Sequence, residues 1–279
     1  MIENFFRKIL GKYLYKSAYS RAYFGLTGLV FKELRMLYAQ FFSIKYPFFS
    51  LFHILGVLWS SLSRFLLGRN VKYSFAFTGE DRIIESILKK SITYSGIYVD
   101  VGCNHPKFLS NTYSLYRKGW KGVCIDPNPF LIDLHRKYRP NDTSICSLIS
   151  DQETDNTFYF VENNVLSTMA FSIADEYKKE GLLVNEKSIR SQKLTSVLDS
   201  LNFPVEFDLL TIDAEDHDFE VLSSLDFSKY SPTLVVVEDD TFDLENLDLN
   251  RFCVFMKLKG YRLHAFVLDN LYFIKTTRI

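Results

Sequence analysis

From residue 97 onward, short apolar runs alternate with stretches of helical period. IYVDV (97–101), KGVCID (121–126), FDLLTI (207–212) and TLVVVE (233–238) are the clearest runs. Apolar runs of this length, rich in β-branched residues and separated by amphipathic segments, predict strands buried on both faces and joined by crossover helices. Few architectures satisfy that pattern, and the simplest is an α/β domain: a mostly parallel sheet with helices on both sides. The spacing predicts helices at 79–91, 109–118, 129–138, 195–202, 217–225 and 247–259. Further strands are expected at 143–149, 261–266 and 271–275, the last two forming an antiparallel hairpin across Leu268, Asp269 and Asn270. Residues 151–194 break the alternation with a strand-like NTFYFV and a polar helical stretch, IADEYKKEG. An insertion there can cover the carboxyl ends of the strands, where open α/β sheets bind ligands.

The first quarter of the chain has a different composition. Residues 1–72 carry 11 Lys and Arg against 2 Asp and Glu, whereas the remaining residues are acidic by nine charges, so the overall balance is zero. The same stretch holds 17 of the 45 aromatic residues. We therefore expect a helical N-terminal segment at 1–75 and a catalytic domain at 76–279. Residues 2–16 read as a basic amphipathic helix without a cleavage site. Residues 46–63 contain no charged side chain, but Pro47, His53, Gly56 and four serines make that run short and wet for a membrane span. Aromatics with flanking Lys and Arg suit an anionic lipid surface, which places the chain in the cytoplasm, peripheral on the inner membrane. A true span through residues 46–63, packing on the catalytic domain and a homodimer contact are the alternatives. Cys103, Cys124, Cys146 and Cys253 have no CxxC or CxxH spacing, which points to reduced core thiols and away from a disulfide framework or a zinc site.

The stretch YVDVGCNHPKFLSNTYSLYRKGWKGVCIDPNP (98–129) runs strand, turn, helix, strand and acidic end. Asp100 closes the first strand, Gly102 removes a side chain where backbone must approach a ligand, and Asn104 can bond within the turn. Asp126 arrives where a carboxylate can accept both ribose hydroxyls of a nucleoside cofactor. Gly102 is the sole glycine between 97 and 118, so the three-glycine dinucleotide fingerprint is missing and a nicotinamide or flavin enzyme is disfavoured. S-adenosylmethionine, which has no pyrophosphate, suits this turn.

A second cluster, FDLLTIDAEDHDFEVLSSLDF (207–227), ends a strand in Asp213 and then crowds Glu215, Asp216, His217 and Asp218 at a helix entry. Asp213 would face the transferring methyl. Glu215 and His217 can share one cleft only if the loop is extended between them. Asp216 and Asp218 read as solvated capping acids. The next strand ends in Glu238, Asp239 and Asp240, so Asp213 with one of these acids, Asp239 taken first, could supply oxygen ligands to Mg²⁺ or Mn²⁺.

With these residues quoted, the chain resembles the FkbM family of S-adenosylmethionine-dependent O-methyltransferases. The resemblance rests on YVDVGCNHP, SNTYSLYRKGWKGVCIDPNP and LLTIDAEDHDFEVLSSLDF, and anchors residues from about 90 to 275. It implies a Rossmann-like methyltransferase sheet and methyl transfer to a hydroxyl, often of a sugar in a cell-surface glycan or of a related natural product. It also implies that Asp100, Gly102 and Asn104 line the methionine end of the cofactor, that Asp126 holds the ribose and that Asp151 lies near the adenine. Many relatives have glutamate at the position of Asp126 and glycine at that of Asp216, and residues 1–70 have no counterpart.

The reaction needs a base on the acceptor hydroxyl. His217 is the candidate, oriented by Asp213 or Glu215, with His105 as an alternative; a bound cation would instead lower the hydroxyl's pKa. The acceptor is expected to be a glycan or a small molecule. Nucleic acid is disfavoured because the catalytic part is acidic and lacks an Asn/Asp-Pro-Pro-aromatic motif. A non-catalytic membrane-associated adaptor on the same fold is the rival reading.

Overall fold

The computed structural model describes residues 74–89, 94–161, 167–169, 171–182 and 184–276. Contacts divide the chain into Met1–Ser74 and Phe75–Ile279. The expected basic helix at 2–16, the charge-free run at 46–63 and His53 all lie outside the described residues. Among the described residues, no helix is long and apolar enough to cross a membrane.

The second unit opens with α1 (Glu80–Leu88). There follow β1 (Ile97–Val101), α2 (Tyr113–Arg117), β2 (Lys121–Asp126), α3 (Pro129–Tyr138) and β3 (Thr143–Cys146). The middle of the chain forms β4 (Leu148–Ile149), β5 (Asp155–Val161), α4 (Phe171–Lys179) and β6 (Val184–Gln192). It closes with α5 (Leu194–Ser200), β7 (Glu206–Ile212), α6 (Asp218–Ser223), β8 (Ser231–Glu238), α7 (Arg251–Leu258), β9 (Tyr261–Val267) and β10 (Asn270–Lys275).

Seven strands form one sheet in the order β3-β2-β1-β7-β8-β10-β9. The first five run parallel, and β10 is antiparallel to both β8 and β9. This is the Rossmann-like methyltransferase arrangement, with its closing hairpin folded back so that β10 lies inside β9. Successive residues of each central strand feed opposite faces. Val99, Val101, Val123, Ile125, Leu210, Ile212, Val235 and Val237 pack with Leu198, Leu222 and Met256 on one face. Tyr98, Cys124, Leu209, Leu234 and Val236 pack with Ile84, Leu115 and Ile132 on the other. Because both faces are buried, the strands show no polar alternation, which is why they read as continuous apolar runs.

Three expected elements differ. The helix foreseen at 109–118 is confined to α2, since Leu109 takes a left-handed φ of 56° and Ser110 Oγ accepts from Tyr113 N at 3.1 Å. The strand foreseen at 143–149 divides at Ser147: β3 stays on the main sheet, while β4 joins a small sheet of order β4-β6-β5. The helix foreseen at 247–259 begins only at Arg251, where Asn250 caps it by accepting from Cys253 N at 3.0 Å. Strand β6 was not foreseen, because VNEKSIRSQ is mostly exposed and carries no apolar run. The insertion does reach the strand ends: Thr168 Oγ1 lies 3.5 Å from the carbonyl oxygen of Glu215.

Candidate active site

The direction of strand order reverses between β1 and β7, and the carboxyl ends of β1, β2, β7 and β8 share one edge of the sheet. Such a reversal leaves a crevice between diverging loops. Gly102 sits there with φ 74°, its N–H donating to the Ile125 carbonyl at 2.9 Å. A Cβ at this position would collide with the carbonyl oxygen of Asp213. The contact between two strand-end loops therefore requires the glycine, whatever ligand approaches it.

Asn104, also left-handed at φ 44°, donates its backbone N–H to Asp126 Oδ2 at 3.1 Å, and Asn128 N donates to Oδ1 at 2.8 Å. Asp126 thus ties the turn after β1 to the turn after β2. Burial pushes its carboxyl up to about 6, against the pull of those two N–H groups. Each oxygen still has acceptor capacity left, so the donor set suits a pair of ribose hydroxyls. Replacement Asp126→Asn, which keeps the shape and loses the charge, is expected to weaken S-adenosylhomocysteine binding by about 1.5–3 kcal/mol, roughly 10- to 150-fold. Calorimetry on the folded variant checks this, and unchanged affinity would reject the assignment.

Asp100 does something different from what the resemblance implies. Its carboxylate is 5% exposed and accepts from Thr112 Oγ1 beside the Arg139 guanidinium. It anchors the start of α2 from the end of β1, so its link to a cofactor is indirect. Burial raises it to about 6, with Arg139 and Thr112 opposing.

At the end of β7, Asp213 N donates to the Val101 carbonyl at 3.0 Å. Glu215 and Asp216 are then both left-handed, at φ 48° and 70°. The loop is consequently not extended, and the condition for Glu215 and His217 to share a cleft fails. Asp216 occupies a conformation that glycine adopts without strain, which explains why glycine is at home there. His217 turns to the insertion side: its Nε2 lies 3.0 Å from Ser150 Oγ and its Nδ1 3.6 Å from Glu220 Oε2. Asp213 and Glu215 do not orient it. Burial keeps the imidazole below its ordinary pKa, with Glu220 and Asp151 opposing. Asp151 is at this same corner, bonded by Ser150 Oγ at 3.3 Å. His105, the alternative base, has Nδ1 accepting from the backbone of Lys107 and Phe108, both at 3.1 Å, which makes it a turn former.

The acids gather without the histidine. Glu215, Asp216, Asp218, Glu238, Asp239, Asp240, Thr241, Arg251 and Phe252 line a cavity of about 300 Å³. Asp213 is open to water at its edge. Partial desolvation, with the Glu215 and Asp218 charges nearby, still raises its carboxyl above the usual range. Burial together with the neighbouring carboxylates lifts Glu215 to about 8 and Glu238 to about 9. Asp218 is buried and accepts from Ala214 N at 2.9 Å, so it ties the loop after β7 to the start of α6 and is not the solvated capping acid expected. The strand-end acid that faces Asp213 is Glu238, and the Asp213 charge helps to raise its carboxyl. Asp239 accepts from Thr241 Oγ1 at 2.7 Å and from Asn250 Nδ2 at 2.6 Å, bracing its own loop. An Asp213–Asp239 ligand pair for Mg²⁺ or Mn²⁺ is thus not assembled.

Residues 100–263, more than half of the chain, match the family model of the methyltransferase FkbM domain. The chain belongs to the FkbM methyltransferase family. It is an S-adenosylmethionine-dependent methyltransferase with a Rossmann-like sheet. No curated protein sequence matches it. Among solved structures, it is similar to a TehB-like SAM-dependent methyltransferase from Corynebacterium glutamicum, with 13% identity, 79% of this chain and 96% of that chain covered, and a TM-score of 0.37. It is also similar to a precorrin-6y C5,15-methyltransferase from Geobacter metallireducens, with 13% identity, coverage of 73% and 90%, and a TM-score of 0.38. Within this FkbM-family site, sequence reasoning did not foresee the Ser150–His217 contact. No motif marks a serine closing a two-residue strand.

Proposed function

We propose that this FkbM-family enzyme methylates a hydroxyl oxygen on a neutral, polyhydroxylated acceptor, a sugar of a cell-surface glycan or a related natural product. The observation that supports this is the acid-lined cavity at the ends of β7 and β8, with Arg251 as the sole cation among its lining residues. Carboxylates accept hydrogen bonds from sugar hydroxyls and repel phosphate or carboxylate acceptors. A hydroxyl is also the acceptor that most needs a base, and Glu215, lifted to about 8, becomes an effective one as pH rises toward that value. Once bound, S-adenosylmethionine supplies an activated methyl on a positive sulfur, which suits a crevice crowded with acids. Glu215 then removes the acceptor proton, while Glu238 and Asp239 form the wall beside it. The basic, aromatic N-terminal segment keeps the enzyme at an anionic membrane surface on the cytoplasmic side, a reading supported by its excess of nine positive charges.

Mass spectrometry of the glycans of a deletion strain, followed by transfer of labelled methyl by the purified enzyme onto the demethylated glycan, tests the proposal. The expected result is loss of one O-methyl ether and its restoration in vitro. Transfer to nitrogen or carbon, or an unchanged glycan profile with label carried to another class of molecule, would overturn it.

A further inference from the structure

We propose that Cys103, Cys124 and His135 form a buried zinc site beneath the cofactor turn. The three come from the turn after β1, from β2 and from α3. Their ligand atoms all lie within 4.8 Å of one another, and all three residues are buried. The histidine is set up as a ligand. Its Nε2 is 2.9 Å from the carbonyl oxygen of Asn104, which can only accept, so Nε2 carries the proton and Nδ1 presents a lone pair. Nδ1 is buried and has no hydrogen-bond partner. A metal-binding imidazole has its other N–H fixed by a carbonyl in the same way. A bare nitrogen lone pair sealed in a protein interior costs free energy, and a cation bound there would remove that cost.

Charge selects the metal. Two thiolates and a neutral imidazole exactly balance a dication, so the loaded site is neutral and compatible with burial, whereas a monovalent cation would leave a net negative charge. Two sulfur ligands and one nitrogen favour zinc over Mg²⁺ or Ca²⁺. Asn104 Oδ1, in the same turn as Cys103, is a second buried atom with no hydrogen-bond partner. Binding breaks two S–H bonds, forms two zinc–sulfur bonds and one zinc–nitrogen bond, and releases both protons to water. No electron transfer is involved. Because the site is sealed, loading belongs to folding, and the ion would brace the Gly102–Asn104 turn against α3.

The test uses the full chain, purified and passed over a chelating resin, then unfolded and assayed for zinc by mass spectrometry. About one zinc per chain is expected. Cys103→Ser, Cys124→Ser and His135→Gln should each release it, and Cys146→Ser, which alters an exposed thiol outside the cluster, should retain it. Should those variants fail to fold, the wild-type chain produced in cobalt-supplemented medium is decisive: thiolate-to-cobalt charge-transfer bands are expected in its spectrum. A folded wild-type chain that holds no zinc and shows no such bands would overturn the proposal. So would zinc that persists in the folded Cys103→Ser and Cys124→Ser variants, or a Cys103–Cys124 disulfide found in the unreduced protein.

Discussion

Glu215→Gln is expected to lower kcat by about 10²–10⁴-fold, the usual contribution of a positioned general base. The substitution preserves the side chain's size and its place in the cavity wall, so S-adenosylhomocysteine affinity should hold while turnover falls. The pH dependence carries the sharper signature. A carboxyl lifted to about 8 by burial and by Glu238, Asp218 and Asp216 is mostly protonated at neutral pH. The kcat/KM of the free enzyme should therefore climb as pH rises to about 8, and that climb should be lost in the variant. The same shift affects stability with the opposite sign. The folded state holds a proton that the unfolded chain has released, so this contribution is full below about 4.5 and is lost progressively as pH rises to about 8. His217→Ala, which removes a side chain held by Ser150 and Glu220, is expected to cost less than about tenfold, below the range of a positioned base. The reverse ranking of the two variants would return the role of base to the imidazole.

Arg139→Met is expected to destabilise the catalytic domain by about 3–5 kcal/mol, the cost of stranding one member of a buried ion pair. The Arg139 and Asp142 side chains are both fully buried, with Nε to Oδ2 at 2.7 Å. The guanidinium also donates to Tyr98 Oη at 2.7 Å and to Thr112 Oγ1 at 2.9 Å, and Asp142 accepts from Gly122 N at 3.0 Å. Through Thr112 the network reaches Asp100 at the end of β1, so the damage should extend to cofactor affinity. Thermal unfolding should show a fall in Tm of roughly 6–20 °C for a domain of this size. The double change Arg139→Met with Asp142→Asn should cost less than the sum of the single changes, because the second relieves the charge stranded by the first. Strict additivity would mean that the pair is not coupled.

Most of the sheet was legible because its strands lie in the core. Ile97–Val101, Lys121–Asp126 and Pro129–Tyr138 occur where the pattern puts them, since burial on two faces forces continuous apolar runs and a connecting helix forces a 3.6-residue period. Strand β6 was hidden for the converse reason: its residues face mostly water, and it is held by backbone pairing with β5, which any polar sequence can provide. At the site, Asp126 and the cluster around Asp213 were legible as acids at the ends of apolar strands. The partners of His217 were not, because two left-handed residues reverse the loop just before it, and nothing in Glu215 or Asp216 announces a positive φ.

By itself, the sequence determined the fold class, the family, the turn after β1 and the strand ends where acids collect, since all of these follow from local patterning and short spacings. Tertiary structure alone decided which groups meet across elements. Arg139 comes to lie between Tyr98 and Asp142, Glu238 beside Asp213, and His135 beside Cys103 and Cys124, residues whose spacing along the chain carries no metal motif. The physical reason is that strand pairing and helix packing juxtapose residues on different elements, among them Cys124 with His135 and Tyr98 with Arg139, and the burial that results sets their protonation and partners, which no reading of neighbours along the chain can supply.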